Sequence, residues 1–254
     1  DMYYEEYGAG PDLLLLHAGV VTSKMWEDYF RIFSQRYRVI APDSRGHGRT
    51  NNPTGEWNYS IMTDDIAAFI EEMDLHKPHI CGWSDGAQIG LDLAIRYPDF
   101  ASSFIIGGAL KDNSETNFDF LRERGYYGPG DVNFSLIEDK VPDYVELIRD
   151  YHSYRGAEYW KEYLIGISKL WWFTPFKYDD DALINIQVPV LYVIGDRDEH
   201  IPVETVLAMH RLTPNSELAV IPNADHYLPR THVEGFSSLI LEFAKRHSAQ
   251  GNLS

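Results

Sequence analysis

Residues Pro78 to Tyr97 read PHICGWSDGAQIGLDLAIRY, and the way this stretch folds organises the rest of the chain. Pro78 to Trp83 is an apolar run of strand length, and Ala87, Leu91, Leu93 and Ile95 then recur at helical spacing until Pro98 stops them. A strand feeding directly into a helix leaves Ser84 at the junction, inside Gly82-Trp83-Ser84-Asp85-Gly86. Such a sharp turn lifts the central side chain above the sheet and demands small residues two before and two after, where neighbouring backbone passes close. Gly82 and Gly86 meet that demand. The new helix also points its N–H groups and the positive end of its dipole at the serine.

Working outward, Met2 to Glu6 and Asp12 to Leu16 are extended segments separated by Gly8-Ala9-Gly10-Pro11, a pattern that predicts a hairpin. Lys24 to Gln35 has helical spacing and Tyr37 to Ala41 is a short apolar strand. Tyr59 to Met73 predicts a helix ahead of the Pro78 strand, and Ser103 to Ile106 a strand after it. Downstream, Val188 to Ile194 and Glu217 to Ile221 read as strands, with Val203 to Leu212 and Thr231 to His247 as helices. Repeated strand–helix alternation predicts an α/β fold: a mostly parallel central sheet with helices on both faces.

Between Lys111 and Ile186 the alternation stops. Helical segments at Val141 to Tyr154, opened by Pro142, and at Ala157 to Trp172 take its place. The expected organisation is therefore a core of residues 1–110 and 187–254 with a helical cap of residues 111–186. The cap holds 16 aromatic residues in 76 positions, against 19 in the other 178, a bias suited to an apolar pocket wall and to packing among cap helices.

Lys and Arg total 22 against 39 Asp and Glu, and the net charge of -17 repels phosphate backbones and anionic membrane faces. Neither nucleic acid nor a membrane is an expected partner. No stretch reaches the ~20 apolar residues of a membrane-spanning helix. The single cysteine, Cys81, lies in the apolar strand and reads as a small buried residue, so disulfides and thiolate metal clusters are not expected. That usage fits a reducing, cytoplasmic compartment. The chain opens at Asp1 rather than Met, which leaves open a removed leader or tag.

A serine hydroxyl is nearly inert at neutral pH, so Ser84 needs a base, and the base needs a carboxylate to orient it. Of ten histidines, His226 stands in Asn223-Ala224-Asp225-His226, after the last strand and before the final helix. For the acid, Gly195-Asp196-Arg197-Asp198 ends the penultimate strand, and Asp198 is preferred over Asp196 because its spacing carries it past the strand end. Serine, acid and histidine then follow in the order of an α/β-hydrolase triad. An oxyanion hole needs backbone donors: the amide of Asp85, and one from His17-Ala18-Gly19-Val20, for which Gly19 is chosen. Trp83, Tyr126, Tyr127, Trp160, Trp171 and Trp172 are the candidate pocket aromatics.

These residues resemble the α/β-hydrolase superfamily, close in pattern to small serine carboxylesterases that include biphenyl-hydrolase-like and pimeloyl-carrier methyl esterase types. The resemblance runs over nearly the whole chain: the His17 loop, Pro42-Asp43-Ser44-Arg45-Gly46-His47-Gly48, the Gly82 to Gly86 turn, Gly195 to Asp198, and His226. It implies the α/β-hydrolase fold and structural roles for Arg45 and His47. One departure is Ala18, where the family loop usually has glycine. Because Ser84 stands where dehalogenases and epoxide hydrolases place Asp, those activities are not implied. The expected function is a serine esterase acting on small to medium, apolar or aryl, small-molecule esters, without metal or organic cofactor, as monomer or homodimer. An enol-lactonase, an amidase or a carbon–carbon bond hydrolase would use the same triad, and a ligand-binding sensor would keep the fold without turnover.

Overall fold

The computed structural model describes residues 1–112, 118–173 and 176–248. The strands are β1 (Tyr4–Tyr7), β2 (Asp12–Leu16), β3 (Arg38–Pro42), β4 (His79–Trp83), β5 (Ser103–Gly107), β6 (Tyr126–Gly128), β7 (Asp131–Val132), β8 (Val190–Gly195) and β9 (Ser216–Ile221). Seven of them form one sheet in the order β1-β3-β2-β4-β5-β8-β9, while β6 and β7 make a separate hairpin. Every neighbouring pair in the large sheet is parallel except β1 with β3. Parallel strands covered on both faces are continuously apolar, and β2 and β4 are buried along almost their whole lengths.

One expectation fails at the start of the chain. Residues 2–6 and 12–16 do not pair as a hairpin: β1 lies against β3, with Tyr4 opposite Pro42 and Tyr7 opposite Val39, and β2 sits between β3 and β4. The reason lies in the connecting loop. Gly8 has a φ of +79°, and a Cβ there would fall 2.6 Å from the Ser34 carbonyl oxygen, so the loop runs tightly over the entry to β3 instead of turning back on itself. Both edges of the leucine strand are thereby free for parallel partners.

The helices α1 (Glu27–Phe33) and, at the chain's end, α10 (Leu228–Thr231) and α11 (Val233–His247) belong to one face of the sheet, where Phe33, Phe236 and Phe243 pack on Leu13, Cys81 and Ile105. On the other face α2 (Tyr59–Glu72), α3 (Asp85–Arg96) and α9 (Val203–Leu212) cover Leu14, Ile80 and Ile106. Fully burying each such side chain contributes ~1.5–3 kcal/mol. The predicted helix at 24–35 begins as a 3-10 turn, Ser23–Trp26, and the predicted closing helix runs from Val233 to His247, behind the short α10.

Between β5 and β8 the chain forms α4 (Phe118–Glu123), the β6–β7 hairpin, α5 (Phe134–Lys140), α6 (Pro142–Tyr151), α7 (Tyr159–Phe173) and α8 (Asp180–Ile184). Residues 113–117 and 174–175 of the expected cap lie outside the described residues. Asn133 and Asp179 cap α5 and α8 by accepting from the Leu136 and Ala182 amides, and Pro142 opens α6. Leu164, Ile167 and Leu170 of α7 join the same apolar cluster as Leu14 and Ile80 of the sheet. Among the described residues, no helix is long and apolar enough to cross a membrane.

Four buried imidazoles bear on stability. Burial pushes His79 and His152 down to about 4 and also lowers His17 and His47. In the unfolded chain each titrates near ~6.5. Between those values the unfolded chain binds more protons than the folded one, so stability falls as the pH drops. Asp85 acts oppositely, since burial raises its carboxyl, but it stands against these four and His200, which burial also lowers. Thermal melts should show the melting temperature declining steadily from pH 6.5 to 4. A flat profile across that window would contradict the neutral, buried state of these rings.

Candidate active site

The turn from β4 into α3 sets Ser84 at φ 53° and ψ -116°, outside the regions that ordinary residues favour. Two contacts hold it there. The Ser84 amide donates to the Gly107 carbonyl on β5 at 2.8 Å, and the Ser84 carbonyl accepts from Gln88 at 2.9 Å inside α3. The glycines are a matter of space: a Cβ on Gly82 would collide with the Gly86 carbonyl, and one on Gly86 would lie 2.6 Å from the His17 carbonyl oxygen.

Asp198 follows β8 and His226 follows β9, two parallel neighbours whose carboxyl ends lie side by side. His226 Nδ1 is 2.8 Å from Asp198 Oδ2, and the Asp198 side chain is fully enclosed. Asp198 Oδ1 accepts from the His200 and Ile201 amides, both at 2.9 Å. Burial alone would raise this carboxyl, but the His226 hydrogen bond and charge, with those two amides, hold it below its ordinary value. A carboxylate acceptor keeps the proton on Nδ1 and leaves Nε2 as the ring's basic nitrogen. Asp196, the rejected candidate, is exposed and instead accepts from the Ala224 amide at 3.3 Å.

Trp83 joins these parts: its Nε1 donates to the His226 carbonyl at 2.9 Å while its ring packs edge-on against Phe236. His200 adds a contact the sequence reading missed. Its ring stacks on His226 with centroids 4.2 Å apart and planes 12° apart, and Phe120 lies 4.2 Å from it in turn. Burial, and then the charge on His226, push the His200 imidazole down to about 3, so a neutral ring lies against the His226 face. Its position in Asp198-Glu199-His200, two residues past the acid, is a signal that could have singled it out.

Ser84, His226, Gly19 and Asp85 line one cavity of about 290 Å³, together with Trp83, Tyr126 and Trp171. The other three aromatic candidates do not line it. Tyr127 alternates with Tyr126 along β6 and is 45% exposed. Trp172 is rotated by one helical step from Trp171 and stacks on Phe118 at 4.6 Å. Trp160 shares Trp171's side of α7 but lies about 16 Å along its axis, where it is buried against Phe134 and Arg149. Tyr59, Tyr144 and Phe176 line the cavity without having been expected.

The His17 loop borders Ser84. His17 Nε2 accepts from the Ser44 amide at 2.9 Å, which leaves Nδ1 to donate to the Ala18 carbonyl at 2.7 Å. Ala18 does not need the left-handed conformation that glycine favours; Val20 takes it instead, at φ 60°. Arg45 makes a two-pronged ion pair with Asp65, at 2.6 and 2.7 Å, and His47 is buried near His17. The Asp85 side chain turns inward, accepting from Tyr59 at 2.9 Å and from the Trp171 indole at 3.1 and 3.2 Å. Burial raises its carboxyl, while those two donors and the charge on His226 favour its ionised form.

A family model described as the alpha/beta hydrolase family matches residues 13–238. A 2-hydroxy-6-oxo-6-(2'-aminophenyl)hexa-2,4-dienoic acid hydrolase of Metapseudomonas resinovorans is 27% identical, over 96% of this chain and 88% of its own length. A bifunctional esterase/perhydrolase of Acinetobacter calcoaceticus is 25% identical, over 96% of each. A meta-cleavage product hydrolase from Pseudomonas fluorescens IP01 superposes with a TM-score of 0.80 at 21% identity, covering 96% of this chain and 94% of that one, and so shares the fold. With the family match spanning most of its length and the strand order that places Ser84, Asp198 and His226 at one sheet rim, the chain belongs to the α/β hydrolase family.

Proposed function

We propose that the chain is a serine esterase that cleaves small to medium carboxylic esters through an acyl-enzyme. The observation that carries this reading is the Asp198–His226 hydrogen bond opening onto the same apolar cavity as Ser84. His226 Nε2 takes the Ser84 proton as Oγ bonds to the ester carbonyl carbon, and the carbonyl oxygen becomes an oxyanion facing the Gly19 and Asp85 amides. The carbon–oxygen bond to the alcohol then breaks, and the alcohol leaves with the proton from His226. Water repeats the sequence on the acyl-enzyme, releasing acid and free serine. A cavity of about 290 Å³ lies at the small end of ligand pockets and suits a compact ester.

Relatives that act on dienoic acids keep a carbon–carbon hydrolase as the second reading. The inward carboxyl of Asp85 favours the ester over it, because two carboxylates brought together in a low-dielectric site cannot both stay ionised without cost, and burial already disfavours the charge on Asp85. A neutral or ammonium-bearing acyl group meets no such repulsion.

Three measurements test these assignments. An alkyl phosphonate that mimics the acyl transition state should form a single adduct, on Ser84, seen by peptide mass spectrometry; an adduct elsewhere sinks the reading. Backbone held as Ser84 is costs ~1–3 kcal/mol. Ser84→Gly should therefore melt a few degrees higher while losing on the order of a million-fold in turnover, about what removing a triad nucleophile costs. Across matched aryl esters, kcat/KM should be lowest for acyl groups carrying a carboxylate. Asp85→Asn should narrow that gap about 10-fold, which corresponds to ~1.4 kcal/mol of differential interaction. An unchanged gap would remove Asp85 from substrate selection.

A further inference from the structure

The Val20 amide donates to the phenol oxygen of Tyr163 at 2.7 Å, across 143 positions of sequence. Val20 immediately follows Gly19, and its φ of 60° is an outlier for a β-branched residue, which something outside the loop must sustain. Tyr163 is suited to do so. It is fully buried on α7, its ring 4.0 Å from His152, 5.1 Å from His47 and 5.6 Å from Trp57. Burial also holds its phenol well above the ordinary value, so the oxygen stays protonated and uncharged.

We propose that Tyr163 is a positioning residue for the oxyanion loop: by gripping the Val20 amide it fixes the Gly19–Val20 peptide and so aims the Gly19 N–H at the reacting oxygen. The inference rests on the esterase reading above. Two consecutive peptides are pinned from opposite sides. The Ala18–Gly19 peptide, which carries the Gly19 N–H, is held through its carbonyl by His17 in the core. The Gly19–Val20 peptide is held through its N–H by Tyr163 from the helical insertion. Between them stands a glycine, whose backbone torsions would otherwise let either peptide rotate. Gly19 cannot gain rigidity from a side chain, because a Cβ there would collide with the Asp85 carboxylate and crowd Trp171.

Tyr159 supplies the control. It lies one turn earlier on α7 and also ties the insertion to the core, donating to the Gly46 carbonyl at 2.8 Å, but it touches no part of the His17 loop in its hydrogen bonding. Tyr163→Phe and Tyr159→Phe are compared for hydrolysis of a short-chain p-nitrophenyl ester. They are also compared for inhibition by an alkyl trifluoromethyl ketone, which forms a tetrahedral oxyanion on serine, and by the matching alcohol, which does not. Losing one oxyanion donor outright costs ~100- to 1000-fold. Tyr163→Phe, which loosens a donor without deleting it, should lower kcat about 10- to 100-fold with KM within twofold. It should weaken the ketone by the same factor and leave the alcohol unchanged, while Tyr159→Phe keeps all four within twofold.

In the Tyr163→Phe background, Val20→Asn should recover part of the lost kcat, because asparagine tolerates left-handed backbone. Equal losses for both phenylalanine variants, or a loss of alcohol binding in step with kcat, would reduce Tyr163 to a general fastening and overturn the proposal. If Tyr163→Phe does not fold, hydrogen exchange on the unaltered protein decides: a protected Val20 amide supports the grip, and exchange at the rate of an open loop rejects it. Should the unaltered protein not hydrolyse esters, the esterase reading fails, yet ketone affinity still tests Tyr163 because the adduct needs Ser84, its base and the loop but no bond cleavage.

Discussion

Ser84 can sit above the sheet only because its backbone is forced into a conformation that its neighbours sustain. The amide is taken by Gly107 on the adjacent strand, the carbonyl by the first turn of α3, and the glycines on either side let β4, α3 and the His17 loop approach to backbone contact. Strain of this kind persists only where surrounding structure over-determines it. The same turn is tied to the histidine loop. Trp83, one residue before, bonds to the His226 carbonyl, so the strand that carries the serine also anchors the loop that carries the imidazole.

Two buried carboxylates near that turn show how placement divides labour between like groups. Asp198 receives the His226 proton donor and two backbone amides, which outweigh burial and keep it ionised. Asp85 receives a phenol and an indole, donors that do not outweigh burial, and its carboxyl is raised. The first lies against the His226 ring, where it would balance any positive charge that ring takes up. The second belongs to a residue that lines the cavity, with its carboxylate held by Tyr59 and Trp171. In a chain of net charge -17 these two are distinguished by their immediate partners, not by the average field.

What could be read from the chain was whatever backbone chemistry punctuates sharply. Gly82 and Gly86 around Ser84, the strand ends at Gly195 and after Ile221, and the alternation of strand and helix all mark places where only one local geometry satisfies the residues. The β1 pairing was illegible because Gly8 to Pro11 looks like a turn, and only the tertiary contact of Gly8 with Ser34 shows that the chain passes over β3. Composition concentrated aromatics in residues 111–186 but could not orient them. Helical phase separates Trp171 from Trp172, strand alternation separates Tyr126 from Tyr127, and Trp160 lies three turns too far along α7. Tyr59 and Tyr163 carried no local signal, since they meet their partners across 26 and 143 positions of sequence.

The helix α7 explains why those last residues matter together. Trp57 packs so closely on it that a Cβ at Gly166 would collide with the indole, which brings its backbone down onto the core. From that seat Tyr159 reaches the Gly46 carbonyl, Tyr163 the Val20 amide and Trp171 the Asp85 carboxylate. One helix thus touches the loop beside Gly19, the side chain beside Ser84 and the wall of the cavity. Segments of this kind are where pocket shape varies most readily, because the strand pairing of the large sheet does not run through them. Here that freedom is limited: a shift of α7 that widened the cavity near Trp171 would also pull on Val20, so pocket shape and the Gly19–Val20 peptide change together.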